Sequence, residues 1–248
     1  MRGGEREAAA VDSLFAAALA AGESVPRARR LLGECEETAL AVVLRRAVPL
    51  AFLEAVASTP PWSERPRVLA RVVLNPRAPR ALALRLVGAL HWRDLAEVAL
   101  APACSAAVRF RAESLLRDSL ADIRLGDRVT LARLATAALL PALLEDADAR
   151  VVAAALSNPR LREQDVVAQL QRADAPRLLA EQAAAAQRWS VSYAVRLALV
   201  LQPRTPLPIA LQQISSLVPR DLRRVAGQSD IAPLLRLAAE RVLEATKR

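Results

Sequence analysis

Apolar residues recur at helical spacing along most of the chain. In three segments they stand at i, i+4 and i+5, positions that share one face of an α-helix. These are Val68, Val72 and Val73; Val151, Ala155 and Leu156; and Val195, Leu199 and Val200. The helix that follows has apolar residues at i, i+1, i+4 and i+7, which predicts Leu84 and Leu211 as equivalent core positions. Alternating strand patterns are missing, so the sequence predicts an all-α fold.

Short Pro-containing elements separate these helices. They read N-P-R-A-P from residue 75, N-P-R-L-R from 158 and Q-P-R-T-P from 202. We expect the Asn to end a helix in the left-handed conformation and the Pro to prevent its continuation. In the third element, Thr205 is the expected N-cap and Pro206 the first helical residue. A third, short helix is expected to follow, with Asp94 or Asp221 as its N-cap.

The chain contains an internal duplication. The segment from Trp62 matches the segment from Trp189 at an ungapped offset of 127 residues, and residues 35–116 match 162–243 at 26 of 82 positions. Equivalent points near residues 31, 75, 117, 158 and 202 predict about five units of 41–44 residues. We therefore expect an N-terminal capping helix within residues 1–24, spanning about 5–21, and a single helical repeat domain over 25–248.

This pattern resembles the leucine-rich-repeat-variant and HEAT/armadillo-like repeats, in which an acidic turn, a Val-Arg-like helix start and an Asn-Pro stop recur. The resemblance implies an α-solenoid, an α-α superhelix that presents a concave surface to a partner. Some variant-repeat proteins carry an iron–sulphur cluster on four cysteines. This chain has only two cysteines, so no cofactor is expected.

The net charge of +9 raises nucleic acid as a partner. However, every basic residue except Lys247 is arginine, and with the excess of alanine this indicates GC-rich codon usage as a source of the charge. Cys35 and Cys104 are expected to be buried free thiols, which favours a reducing, cytoplasmic location. No uncharged apolar run is long enough to span a bilayer, so no membrane insertion is expected.

Arg77, Arg160 and Arg204 follow the three Pro elements at equivalent positions. A row of guanidinium groups could line a groove and bind phosphate or carboxylate. The alternative is a structural role, in which they cap helix ends or pair with Asp94 and Asp221, which lie 17 residues after Arg77 and Arg204. A residue repeated in a solenoid usually maintains the repeat, so the structural role is preferred.

Aromatic residues supply the second group of candidates. Trp62 and Trp189 are equivalent in the duplication, which indicates packing between repeats. Trp92 is matched by a proline and stands between His91 and Arg93, so this trio is the candidate for an exposed partner contact.

The sequence contains no catalytic constellation. It has one histidine, no Cys-x-x-Cys pair, no phosphate-binding Gly-rich loop and no nucleophile motif, so catalytic, cofactor and metal sites are not expected. The sequence therefore favours a non-enzymatic interaction scaffold for a protein partner. A basic nucleic-acid-binding solenoid is the alternative. An enzyme like the HEAT-like alkylpurine DNA glycosylases ranks third, on fold analogy alone.

Overall fold

The computed structural model describes the backbone of residues 2–245 and the side chains of residues 8–245. Within that range the chain forms eighteen α-helices and three short 3₁₀-helices, without a strand. The predicted helical class is therefore confirmed. The helices group into two compact units, Met1–Asp122 and Ile123–Arg248.

The first unit contains eight α-helices, each packed on its neighbours. Helix α1 contacts α2 and α3, α5 contacts α6 and α7, and α8 closes against α6 and α7. Gly22, at φ +55°, ends α1 and is the only described residue with a positive φ. The helices are α1 (Arg2–Ala21), α2 (Val25–Leu32), α3 (Glu37–Val43), α4 (Leu50–Ser58), α5 (Pro66–Val73), α6 (Arg80–Leu86), α7 (Trp92–Leu100) and α8 (Ala106–Asp118).

The second unit contains ten α-helices. Helix α11 packs on α9, α10 and α13, α15 contacts α12, α13, α16 and α17, and α18 closes against α16 and α17. The helices are α9 (Leu125–Leu134), α10 (Leu140–Leu144), α11 (Ala149–Leu156), α12 (Glu163–Leu170), α13 (Arg177–Ala185), α14 (Gln187–Ser190), α15 (Tyr193–Leu201), α16 (Leu207–Ile214), α17 (Pro219–Ala226) and α18 (Pro233–Ala245).

The sequence duplication is also a duplication of helix boundaries. When 127 is added to the bounds of α4 and α8, the bounds of α13 and α18 result. The pairs α3/α12, α5/α15, α6/α16 and α7/α17 agree to within one residue at each end. Equivalent helices also have equivalent neighbours, since α5 packs on α6 and α7 as α15 packs on α16 and α17. The two units differ where they begin, because one long helix, α1, precedes α2 whereas α9 and α10 precede α11.

Burial confirms the predicted core face of α5, α11 and α15, where all nine residues at i, i+4 and i+5 are buried. The prediction for the following helices is wrong at i+1. Leu84 is half-buried and Leu211 is 38% exposed. In α6 the buried arc instead includes Leu82 and Leu86, which lie on the other side of Ala83 from Leu84. The core face is therefore narrower than the apolar sequence pattern suggests.

The predicted caps are also wrong. Helix α16 begins at Leu207 with Pro206 as its N-cap, and the buried Thr205 hydroxyl makes no hydrogen bond. Helices α7 and α17 begin two residues before Asp94 and Asp221. Both carboxylates therefore lie in the first helical turn, where they face the positive end of the helix dipole without capping a backbone N–H.

Candidate partner-binding surface

The first residue of each Pro element is a buried amide that ties its loop to an earlier helix. Asn75 and Asn158 are 4% and 1% exposed, and Gln202 is 6% exposed. Each side-chain nitrogen donates to main-chain carbonyls at the C-terminal end of α3, α9 or α12, where helical carbonyls lack an intrahelical partner. The acceptors are Leu44 and Arg46 for Asn75; Ala132, Arg133 and Ala135 for Asn158; and Leu170 and Arg172 for Gln202.

These contacts correct the predicted role of the asparagines. Neither has the left-handed conformation, because no described non-Gly residue has a positive φ. Their function in the loop is carried by the side chain, which bridges residues about 30 positions apart. Gln202 can fill the same position because a longer amide has the same donor and acceptor groups.

The same amides fix the backbone of the three candidate arginines. The side-chain oxygen of Asn75 accepts from the Arg77 N–H at 2.9 Å, and that of Asn158 accepts from the Arg160 N–H at 2.8 Å. Gln202 holds Arg204 in the same way at 3.1 Å. The main chain of each arginine is therefore held by a buried group, while all three side chains are exposed.

The predicted ion pairs of these arginines do not form. Within the described part of the chain, the guanidinium groups of Arg77 and Arg160 have no hydrogen-bonding or ionic partner. Arg204 donates from Nη1 to the main-chain oxygen of Asp174 at 3.1 Å, so the expected capping of backbone carbonyls holds for this one residue.

The expected carboxylate partners are engaged elsewhere. Asp94 lies near Arg71, which is itself held by two 2.8 Å hydrogen bonds to Glu97. Burial raises the pKa of Asp94 despite the neighbouring arginine. Asp221 accepts a hydrogen bond from the Tyr193 hydroxyl, and burial together with this bond raises the pKa of Tyr193. The equal sequence spacing from Arg77 and Arg204 therefore did not indicate contact.

Trp92 is less accessible than its position in the sequence suggests. The side chain is half-buried at the start of α7, and the Arg93 guanidinium carbon lies 5.0 Å from the centre of its ring. His91 is exposed and is the N-cap residue of this helix. The three residues form one group in the first unit, but no contact joins Arg77 to them.

The predicted packing role of the two equivalent tryptophans is confirmed. Trp62 and Trp189 are buried, and their indole N–H groups donate to the carbonyls of Leu32 and Leu156 at 3.1 and 2.8 Å. Both acceptors are the last residues of their helices, α2 and α11. Each tryptophan thus supplies a partner to a carbonyl that its own helix leaves free.

A groove in the first unit was not predicted. It measures about 890 Å³ and is lined by α1, the end of α2 and the start of α3, including Leu14, Leu31 and Cys35. Cys104 is buried as expected, but Cys35 is half-buried. Burial raises the pKa of the Cys35 thiol to about 11, which keeps it protonated near neutral pH.

The described residues include no cluster of three or more His, Cys, Asp or Glu side chains arranged for a metal ion. Of the helices in that part of the chain, none is long and apolar enough to cross a membrane. Comparison of the chain with protein-family models, with curated proteins and with solved structures finds no match.

Proposed function

We propose that this chain is a HEAT- or armadillo-like α-solenoid that binds a protein partner and catalyses no reaction. The support for a superhelix is the recurrence of helix pairs joined by the same amide-held loop at Asn75, Asn158 and Gln202. Consecutive repeats of this kind bury a continuous core and leave their connecting loops on the surface.

The observation that carries the binding proposal is the state of Arg77 and Arg160. The buried amide and the arginine N–H maintain the loop, so the guanidinium group is not needed for the fold. An exposed guanidinium group on a fixed main chain keeps its five donors for a ligand and loses less freedom on binding. We infer that these side chains contact the partner.

A protein partner is favoured over nucleic acid by the state of the aromatic rings. Sequence-independent binding of single strands combines basic side chains with exposed rings on which bases stack. Here Trp62 and Trp189 are buried, and Arg93 lies against the ring of the half-buried Trp92. Nucleic acid remains the alternative because of the net charge of +9.

The test compares two double variants with equal net charge. Arg77→Ala/Arg160→Ala removes the two candidate contacts, whereas Arg27→Ala/Arg133→Ala removes an exposed arginine from each unit at other sites. Cross-linking in the native host should recover a protein with wild type and with the control, but not with the first variant. Melting temperatures of all three should agree within about 3 °C, since exposed substitutions change stability little.

Duplex DNA binding, measured in parallel, decides between the partners. We expect weak binding that falls steeply with salt, with each neutralised phosphate adding about 0.9 to the log–log slope. Tight binding at physiological salt that Arg77→Ala/Arg160→Ala abolishes, without loss of stability, would place nucleic acid first.

A further inference from the structure

Helix α17 exposes a face of three arginines. Arg220, Arg223 and Arg224 stand at i, i+3 and i+4, which places them on one side of the helix, while Leu222 and Val225 are buried on the other. All three guanidinium groups are exposed, and none has a hydrogen-bonding or ionic partner among the described side chains.

The equivalent helix of the first unit shows that this face is not required by the fold. In α7 the matching residues are Arg93, Ala96 and Glu97, and Glu97 is bound through both oxygens by Arg71. In the second unit Arg224 replaces this acid, and the position that corresponds to Arg71 holds Ala198. The two helices nevertheless have matching bounds and matching neighbours. The second copy has therefore replaced an internal ion pair by unpaired cations while keeping the same packing.

The arginine face is unfavourable in the free protein. Like charges at i, i+3 and i, i+4 repel one another, and Arg220 stands in the first turn, close to the positive end of the helix dipole. Its counterpart Arg93 lies against Trp92, but Pro219 stands in place of that ring. The nearest acid in the sequence, Asp221, already accepts the Tyr193 hydroxyl. Nothing in the described unit compensates for this cluster, so an anionic partner would relieve it.

The neighbouring surface indicates which anion. Val218, immediately before α17, is 47% exposed, and Leu234 and Leu237 on the adjoining α18 are 58% and 53% exposed. Aliphatic side chains contribute little to binding a phosphate backbone, whereas they match the apolar face of an amphipathic protein helix. Carboxylates bind guanidinium groups in a bidentate manner, so glutamates on the same helix would occupy the arginine face.

On this basis we propose that the exposed surface of α17 and α18 is a docking site for a carboxylate-rich amphipathic helix of a protein partner. The site rests on the proposed function as a protein-binding chain, but it does not use Arg77 or Arg160. It names the chemistry of the partner as glutamates facing Arg220, Arg223 and Arg224 and apolar residues facing Leu234 and Leu237.

The test uses the full-length protein and a labelled synthetic helix of about 18 residues, about five turns, with glutamate on one face and leucine on the other. A second peptide has glutamine in place of glutamate. Binding is measured by fluorescence anisotropy at ionic strengths of about 0.05 and 0.15 M, since screening should weaken it at the higher salt. We expect wild type to bind the glutamate peptide about tenfold more tightly than the glutamine peptide, a difference typical of charge-assisted hydrogen bonds.

The variant Arg220→Gln/Arg223→Gln/Arg224→Gln should lose about tenfold in affinity for the glutamate peptide, while its melting temperature is unchanged or raised because the repulsion is gone. The matched control is Arg27→Gln/Arg85→Gln/Arg111→Gln, which removes the same charge from exposed residues of the first unit and should keep its affinity. Leu234→Ser/Leu237→Ser should weaken the binding of both peptides.

Three results would overturn the docking site. Equal losses in the α17 variant and its control would show that net charge alone attracts the peptide. An unchanged affinity in the α17 variant would show that the peptide binds elsewhere. Duplex DNA that binds more tightly than the peptide through the same three arginines would identify a phosphate site. If Arg77→Ala/Arg160→Ala still loses its native partner in any of these cases, the proposed function stands and only the α17 site fails.

Discussion

The most direct test of the repeat architecture is the removal of the buried amide of Asn158. This side chain is 1% exposed. Its Nδ2 donates to the carbonyls of Ala132, Arg133 and Ala135 at 2.8, 3.1 and 3.2 Å, and its Oδ1 accepts from the N–H of Arg160 at 2.8 Å. Since the amide has two N–H protons for three carbonyls, one proton is shared. Asn158→Ala removes every one of these bonds.

The magnitude follows from the number of hydrogen bonds lost. Two donor protons and one acceptor give three full hydrogen bonds, each with a net contribution of about 1 kcal/mol. The carbonyls and the N–H left behind are buried, and each unsatisfied group costs about 1–3 kcal/mol unless water reaches it. We therefore expect Asn158→Ala to lower the free energy of unfolding by about 3 kcal/mol, a large effect for one substitution.

Urea unfolding followed by far-ultraviolet circular dichroism measures this loss. Ser157→Ala is the matched control, because Ser157 is exposed and its hydroxyl bonds only to Ala153 in the same helix, so the expected change is within about 0.5 kcal/mol. Asn158→Gln should cost less than Asn158→Ala, because Gln202 occupies the equivalent position in another loop. If Asn158→Ala and Ser157→Ala unfold at the same urea concentration, the amide does not hold the repeat together.

Three further predictions concern packing and titration. Ile214→Ala should cost about 2–5 kcal/mol because Ile214 is buried, whereas Leu211→Ala should cost under about 1 kcal/mol; equal losses in urea unfolding would restore the broader core face. Alkylation of Cys35 at pH 8, followed by mass spectrometry, should be roughly a hundredfold slower than for a thiol with the ordinary pKa of 9.0, because its pKa of about 11 lowers the thiolate fraction; a rate like that of a free thiol would contradict this. Tyr193 is the only tyrosine, so phenolate absorbance should report a pKa above the usual 10. Because its folded pKa is raised, stability should be lost as pH rises through that value, and less so in Tyr193→Phe; an identical alkaline profile would refute this.

Part of the candidate surface could be predicted from sequence. The Pro elements identified Arg77, Arg160 and Arg204 as equivalent, and their main chains are indeed held alike. The fate of their side chains was not predictable, because equal spacing to Asp94 or Asp221 does not determine which groups meet. The face of α17 was missed for a related reason: a cluster of arginines acquires meaning only when the acids around it are known to be engaged elsewhere.

The sequence by itself determined the helices and their duplication. Helical hydrogen bonds join residues four positions apart, so local apolar periodicity and the offset of 127 residues contain the information needed to predict α5, α11, α15 and their equivalents. Only the tertiary structure decided what Asn75 and Asn158 do, since their amides bond to carbonyls about 30 residues earlier in the chain. It also decided that Leu211 is exposed, because the width of a core face depends on which helices pack against it and not on the helix alone.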